Sequence, residues 1–265
     1  RIALFYLQKN SLEDCRPLVR FSSDEARSWS EPREVIPEKS VGYYVLNNDR
    51  AIQLTGGRLL LPVAQHFGPD RSRWTGAAIA ACYYSDDAGE TWQSSELVPD
   101  RKTSNDQLVV IQEPGLVELQ DDRLLMFART NGGSQYFSYS RDKGESWTEW
   151  QPSSLISPVS PATIERIPST GDLLVVWNNH RNIDSSLAGK RTPFTAAISQ
   201  DEGRTWKHLK NIADNPHGWY CYTAMIFVDD HVVLGHCAGD RRSNNGLAES
   251  HITRIPVSWL YQFDQ

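Results

Sequence analysis

Four stretches of the chain share one arrangement of apolar and polar positions: an apolar run, a short polar turn and a second apolar run. They read AIQLTGGRLLLPVAQ from Ala51, GLVELQDDRLLMFAR from Gly115, ERIPSTGDLLVVWNN from Glu165 and TAMIFVDDHVVLGHC from Thr223. Runs rich in Leu, Val, Ile and Phe that are broken by Gly or Asp pairs predict β-hairpins. The opening residues RIALFYLQ match the outgoing half of the first hairpin, RLLLPVAQ, almost position for position. This predicts that the chain begins just after a hairpin turn, with the partner strand upstream of Arg1.

A second pattern alternates with the first. SSDEARSW from Ser22, SDDAGETW from Ser85, SRDKGESW from Ser140 and SQDEGRTW from Ser199 recur roughly sixty residues apart. In such a turn the Asp carboxylate accepts hydrogen bonds from N–H groups just ahead of it, the Gly takes the left-handed conformation, and the Trp packs beneath. Asp24, Asp87, Asp142 and Asp201 are therefore read as turn pins rather than calcium ligands. Ala26 stands where the other copies have Gly89, Gly144 and Gly203, which predicts a strained or differently shaped first turn. A unit of about sixty residues holding two hairpins' worth of strands has the size of a four-stranded propeller blade. An up-and-down sandwich would match the strand number but not one turn recurring at that interval. The expected fold is all-β, a β-propeller formed by residues 1–265 as a single domain, incomplete in its first blade, with ESHITRIPVSWLY supplying a last strand that helps close the ring.

Composition narrows the partners. The 265 residues carry a formal charge of −6 with both signs interspersed, so no basic stripe serves a phosphate backbone, and nucleic acid is excluded as an expected partner. No apolar run is long enough for a membrane-spanning helix. Of nine Trp, four belong to the repeated turn, and the other five are available as core or as sugar-stacking platforms. The four cysteines lie far apart without metal-finger spacing, so no structural zinc is expected and they read as free and buried. Cys221 and Cys237 flank the last hairpin, where a cross-strand disulfide is geometrically conceivable. The oligomeric state leaves no mark on the sequence.

The turn S-x-D-x-[GA]-x-[ST]-W is the Asp-box, or BNR repeat, and four copies beside such hairpins resemble the sialidases (neuraminidases). The resemblance covers nearly the whole chain. It implies a six-bladed propeller and an exo-acting glycoside hydrolase that removes a terminal acidic sugar, sialic acid, from glycans with retention. A Tyr activated by a Glu would be the nucleophile, an Asp the acid/base, and three arginines would hold the sugar carboxylate. No metal or organic cofactor is implied, and a secreted or periplasmic location is favoured by the resemblance alone. Asp-boxes also occur in propellers that hydrolyse nothing, so function rests on the site.

Antiparallel pairing about the Asp121–Asp122 turn sets Glu113 across from Arg129 at one end of a hairpin. They resemble the family's Tyr-activating Glu and one triad arginine; the competing reading is an ordinary cross-strand ion pair. Arg191 opens the strand feeding the fourth Asp-box, where the family has another triad arginine, although the neighbouring Lys190 also suits a solvated basic turn. Tyr222 stands about eight residues before a hairpin turn, as the family's nucleophile does, with Tyr220 in reserve and a core role competing for both. Two departures stand out. The first triad arginine would lie upstream of Arg1, and the place of the acid/base reads Leu7, Gln8, Lys9. Asp14 lies deeper in that loop; Asp49 is preferred, on an incoming strand whose hairpin would present Asp49, Arg50 and His66 to one mouth, with a structural turn as the alternative. Asn178, Asn179 and His180 end an outgoing strand and suit either sugar hydroxyls or strand capping, Asn179 being the expected ligand. Two rival functions remain open: a glycan-binding Asp-box propeller without catalysis, and a hydrolase or lyase of the same fold acting on another acidic sugar.

Overall fold

The structure is a computed structural model describing residues 1–37, 40–68, 72, 76–243 and 245–262. It is all-β. The predicted outgoing strand at the start is β1 (Ile2–Lys9), paired in continuous antiparallel register with β2 (Cys15–Ser22). There follow β3 (Arg33–Glu34), β4 (Tyr43–Val45), β5 (Ile52–Gln53), β6 (Leu59–Phe67), β7 (Ile79–Ser85) and β8 (Gln93–Ser94). All eight join one sheet, with the path β1-β2-β4-β6-β7-β8, β3 on β2 and β5 on β6. Two groups expected as separate four-stranded blades are thus continuous. Their link is a single parallel pair between Cys15 and Tyr43, across which the Cys15 N–H also donates to the Gly42 carbonyl at 2.8 Å.

Two four-stranded sheets follow. One has the order β12-β11-β10-β9, from β9 (Ile111–Glu118), β10 (Leu124–Thr130), β11 (Ser134–Ser140) and β12 (Gln151–Ile156); the other runs β13 (Thr163–Arg166), β14 (Leu173–Asn178), β15 (Phe194–Ser199), β16 (Lys207–Ala213). The last sheet has three strands, β17 (Gly218–Val228), β18 (His231–Asp240) and β19 (Ser250–Pro256), and leads into a short helix, α1 (Val257–Leu260). All four hairpins expected from the apolar pattern are present. No helix among the described residues is long and apolar enough to cross a membrane.

The chain packs as two compact units. The first comprises Arg1–Glu118, Asp122–Met126 and Ser138–Trp150; the second comprises Leu119–Asp121, Phe127–Phe137 and Gln151–Gln265. In the first, Val19, Phe21, Ile36, Leu61, Val63 and Tyr83 form a buried cluster. In the second, Leu174, Val176, Ile198, Met225, Val232 and Leu234 do the same. Each fully buried Leu or Ile contributes about 2 kcal/mol by leaving water.

The Asp-box geometry explains its sequence. In the second copy Ser85 Oγ donates to Asp87 Oδ1 at 2.8 Å and accepts from the Gly89 N–H at 2.8 Å. Asp87 also receives the Thr91 N–H at 2.9 Å and its hydroxyl at 2.5 Å. The fourth copy repeats the arrangement through Ser199, Asp201, Gly203 and Thr205. Every polar position of the motif thus serves a bond that closes the turn, as expected for a pin.

Ala26 adopts φ 64°, against 88°, 93° and 81° at Gly89, Gly144 and Gly203, and its N–H still reaches Ser22 Oγ at 3.0 Å. The first turn therefore has the common shape and carries the strain of a Cβ in the left-handed region. Ala26→Gly is expected to stabilise the protein by about 0.5–1 kcal/mol, net of the added freedom of the unfolded chain. A raised thermal midpoint would register it; an unchanged or lowered one would contradict it.

The same bonds depress the carboxyls. The Thr91 hydroxyl and N–H pull Asp87 down to about 2, and those of Ser28 pull Asp24 down to about 2. Folded values below the unfolded one mean that this stabilisation is complete above pH ~4 and is lost as pH falls towards 2. The thermal midpoint should decline over that window, and Asp87→Asn should flatten part of the slope.

Candidate functional site

Simple strand alternation sends Tyr220 and Tyr222 to the same face. The β17–β18 register breaks this rule: Cys221 pairs with Cys237, but the next pair is Ala224 with Gly235, so Tyr222 and Thr223 bulge opposite His236. Tyr222 takes φ 54°, an uncommon conformation for a bulky residue and one that re-aims its side chain. Tyr220 stays in the core, 8% exposed, with its ring stacked on Phe194 at 5.7 Å. Tyr222 leaves that face and, half-buried, lies against Arg191, whose Cζ is 5.3 Å from the ring centroid. The reserve tyrosine is thus occupied as a packing residue.

Arg191 also lies over the Trp219 ring at 5.1 Å, and Arg241 lies over the same indole at 4.7 Å. Two guanidinium groups against one indole form a cationic shelf beside the phenol. Burial opposes the charged form of Arg191, but the Cys221 thiol and then the Tyr222 phenol beside it hold its pKa above the usual value. Among the described residues no carboxylate pairs with Arg191, which leaves its fork available for an anion.

The segment carrying Arg191 is held by its backbone. Its carbonyl accepts the Tyr220 N–H at 3.0 Å. Asn178 Nδ2 donates to the Pro193 carbonyl at 3.1 Å, and His180 Nε2 lies 2.9 Å from the Lys190 carbonyl and 3.3 Å from that of Thr192. Burial lowers the His180 pKa, which favours a neutral ring donating from Nε2. Asn178 and His180 therefore act as supports for Arg191. Asn179 accepts the Arg181 N–H at 3.0 Å, a turn-capping bond, and lines a groove beside β12. Sequence reasoning missed Trp219 and Arg241; the signal was the Trp within "HGWYCY" and the Arg pair in "GDRRSN".

Cys221 and Cys237 are in direct register across β17–β18, and both are free thiols, so the conceivable disulfide is not formed. Burial pushes the Cys221 thiol up to about 11.

Of the other expected site residues, Arg129, on β10, belongs to the second unit, and Glu113, Asp49, Arg50 and His66 to the first. Glu113 is half-buried on β9 with φ 52°, so it and Tyr222 share a left-handed backbone in a strand. Residues held in such regions cluster at functional sites. Asp49 is not on a strand: it is exposed in a turn between β4 and β5, with φ 57°. His66, 7% exposed, packs edge-on to Tyr43 with ring centroids 6.4 Å apart. Tyr43 pairs with Phe67 and Tyr44 with Gln65, so β4, rather than Asp49, faces His66. The extra residues of the Asp49 turn displace it along the hairpin. Arg50 is 3% exposed. Asp14 accepts from Asn10 at 2.8 Å and Arg16 at 2.9 Å, and the Asn10 bond and Arg16 together hold its carboxyl low despite some desolvation. Lys9 lies over the Tyr43 ring at 5.3 Å.

The profile of the BNR repeat-like domain matches residues 1–234. This chain belongs to the BNR repeat-like family. As a member, it is 25% identical over 224 residues to a sialidase of Bacteroides fragilis (strain YCH46), covering 80% of this chain and 37% of that protein. It is 28% identical over 227 residues to the anhydrosialidase of Macrobdella decora, covering 80% and 26% respectively. The Hadza microbial sialidase Hz136 superposes with a TM-score of 0.71 at 19% identity, over 94% of this chain and 46% of that one. This BNR repeat-like chain therefore spans 37% and 26% of the length of these two curated relatives and shares its all-β fold with a sialidase.

Proposed function

We propose that this chain is a sialidase-like exo-glycoside hydrolase that releases a terminal acidic sugar, and that its sheets are blades of a six-bladed propeller. The observation that carries the reading is the left-handed bulge that turns the Tyr222 phenol onto Arg191. In the proposed reaction Arg191 and Arg129 hold the sugar carboxylate, and Arg50 and His66 contribute further substrate contacts. Glu113 takes the phenolic proton, because an ordinary phenol with a pKa of about 10 is a poor nucleophile at neutral pH. The Tyr222 oxygen attacks the anomeric carbon while the acid/base protonates the departing oxygen. Water then attacks the glycosyl–tyrosine by the reverse route, giving net retention. A neutral phenol approaches an anionic sugar more easily than a carboxylate would, a departure from the two-carboxylate scheme.

For the acid/base we propose Asp49. Of the two carboxyls weighed, that of Asp14 is tied to Asn10 and Arg16 and held low, which suits an anion and not a proton donor.

Incubation with 2,3-difluorosialic acid tests the reading. Its C3 fluorine slows both steps and its C2 fluoride departs readily, so the glycosyl–enzyme accumulates. A mass adduct on the peptide containing Tyr222 is expected. Binding without any adduct would select the second reading, a glycan-binding propeller, which the Lys9 position and the Asp49 turn favour. An adduct elsewhere would discard Tyr222.

A further inference from the structure

The second unit carries another anion-seeking cavity, whose lining includes none of Arg191, Trp219, Tyr222 and Arg241. It is a groove of about 390 Å³ along the β14–β16 face, walled on the other side by β12 and lined by Ser154, Trp177, Arg181, Arg204, Trp206 and Leu209 among others. The Trp177 Nε1 and the His180 N–H both donate to the Ile156 carbonyl, at 3.2 and 3.0 Å, and fasten β12 to the end of β14. The walls are therefore parts of the framework. Trp206, the fourth Asp-box tryptophan, supplies an aromatic surface that the motif's turn-closing role does not consume. Leu209 remains 42% exposed beside it.

The charges are uncompensated. Arg181 Nη2 donates to the Ser154 carbonyl at 3.0 Å, which orients the side chain without neutralising it. Arg204 is exposed, and neither arginine forms an ion pair among the described residues, whereas Arg16, Arg58, Arg166 and Arg242 all do. The neighbouring carboxylates are already engaged: Asp201 by Ser199 and Thr205, Glu202 by Arg166. Two unpaired guanidinium groups in one groove of a chain with net charge −6 make a local positive potential.

We propose that this groove is a second binding site for a carboxylated sugar unit. An indole flanked by Leu209 matches the apolar face of a pyranose ring, and a guanidinium fork matches a carboxylate bidentately. The volume lies in the range of small-ligand sites and suits one or two rings. A neutral sugar would leave the two cations unused, and a bare inorganic anion would leave the aromatic wall unused.

The indole N–H resonances of the ¹⁵N-labelled full chain test this. The probe is a sulfur-linked analogue of 3′-sialyllactose, which resists hydrolysis; lactose and sodium sulfate are the comparisons. The Trp206 signal should shift saturably with the thio-sialoside, with at least tenfold weaker binding of lactose and of sulfate. Arg181→Ala/Arg204→Ala should weaken the thio-sialoside at this signal by tenfold or more. The Trp219 signal reports the Arg191 cluster separately and should respond alike in both proteins, so loss at one site is distinguishable from loss at the other. A motionless Trp206 signal, equal binding of sulfate or lactose, or an unchanged double variant would each overturn the proposal.

Discussion

Tyr222→Phe is expected to lower turnover of a fluorogenic sialoside by about a thousandfold or more while leaving its KM within a few-fold. The phenyl ring fills the same volume against Arg191, so the bulge and the cationic shelf persist, and only the oxygen that would attack carbon is lost. The expected thermal midpoint is accordingly that of the parent protein. Turnover at the parental rate, in a variant that folds normally, would remove the tyrosine from the chemistry and leave the fold and the anion site standing. Residual activity in the thousandth range would instead report water attacking a sugar that is still well held.

Arg191→Ala is the second large effect. Deleting one partner of a desolvated, hydrogen-bonded charge pair costs about 2–5 kcal/mol, which corresponds to a fall in kcat/KM of roughly thirtyfold to several thousandfold. The loss should sit mainly in KM for a substrate bound by its carboxylate, and an amide analogue of the substrate should be much less affected. Arg191→Lys keeps the charge and loses the planar fork, so it should recover a minor part. Removing the cation takes one of two guanidinium groups from the Trp219 ring and leaves Arg241 at 4.7 Å, so stability should change by about 1 kcal/mol or less. Equal losses for the acid and its amide would show that Arg191 supports the loop and does not bind the carboxylate.

What the sequence made legible was local. The Asp-boxes and the turns at Gly56–Gly57, Asp121–Asp122, Gly171 and Asp229–Asp230 are set by residues within a few positions of one another, and all form as expected. What it hid depends on partners distant in the chain. The bulge at Tyr222 exists only against β18, because Cys221 and Ala224 take their places opposite Cys237 and Gly235; no nearby residue announces it. The joining of the first two strand groups rests on one pair, Cys15 with Tyr43. The Asp49 turn follows from chain in excess of what β6 can pair, a mismatch visible only when both strands are placed. Trp219 lies on β17 and Arg241 directly follows β18, and they meet through the register of those two strands, so neither stood out alone.

β15 carries two different duties at its two ends. Arg191 precedes its first residue, and the fourth Asp-box follows its last, about 20 Å away for six extended residues. The turn meets its polar requirements from its own eight residues, so foldability is secured at one pole of the strand. The opposite pole is thereby released to vary in ligand chemistry, and changes of specificity can accumulate there while the hairpin continues to assemble.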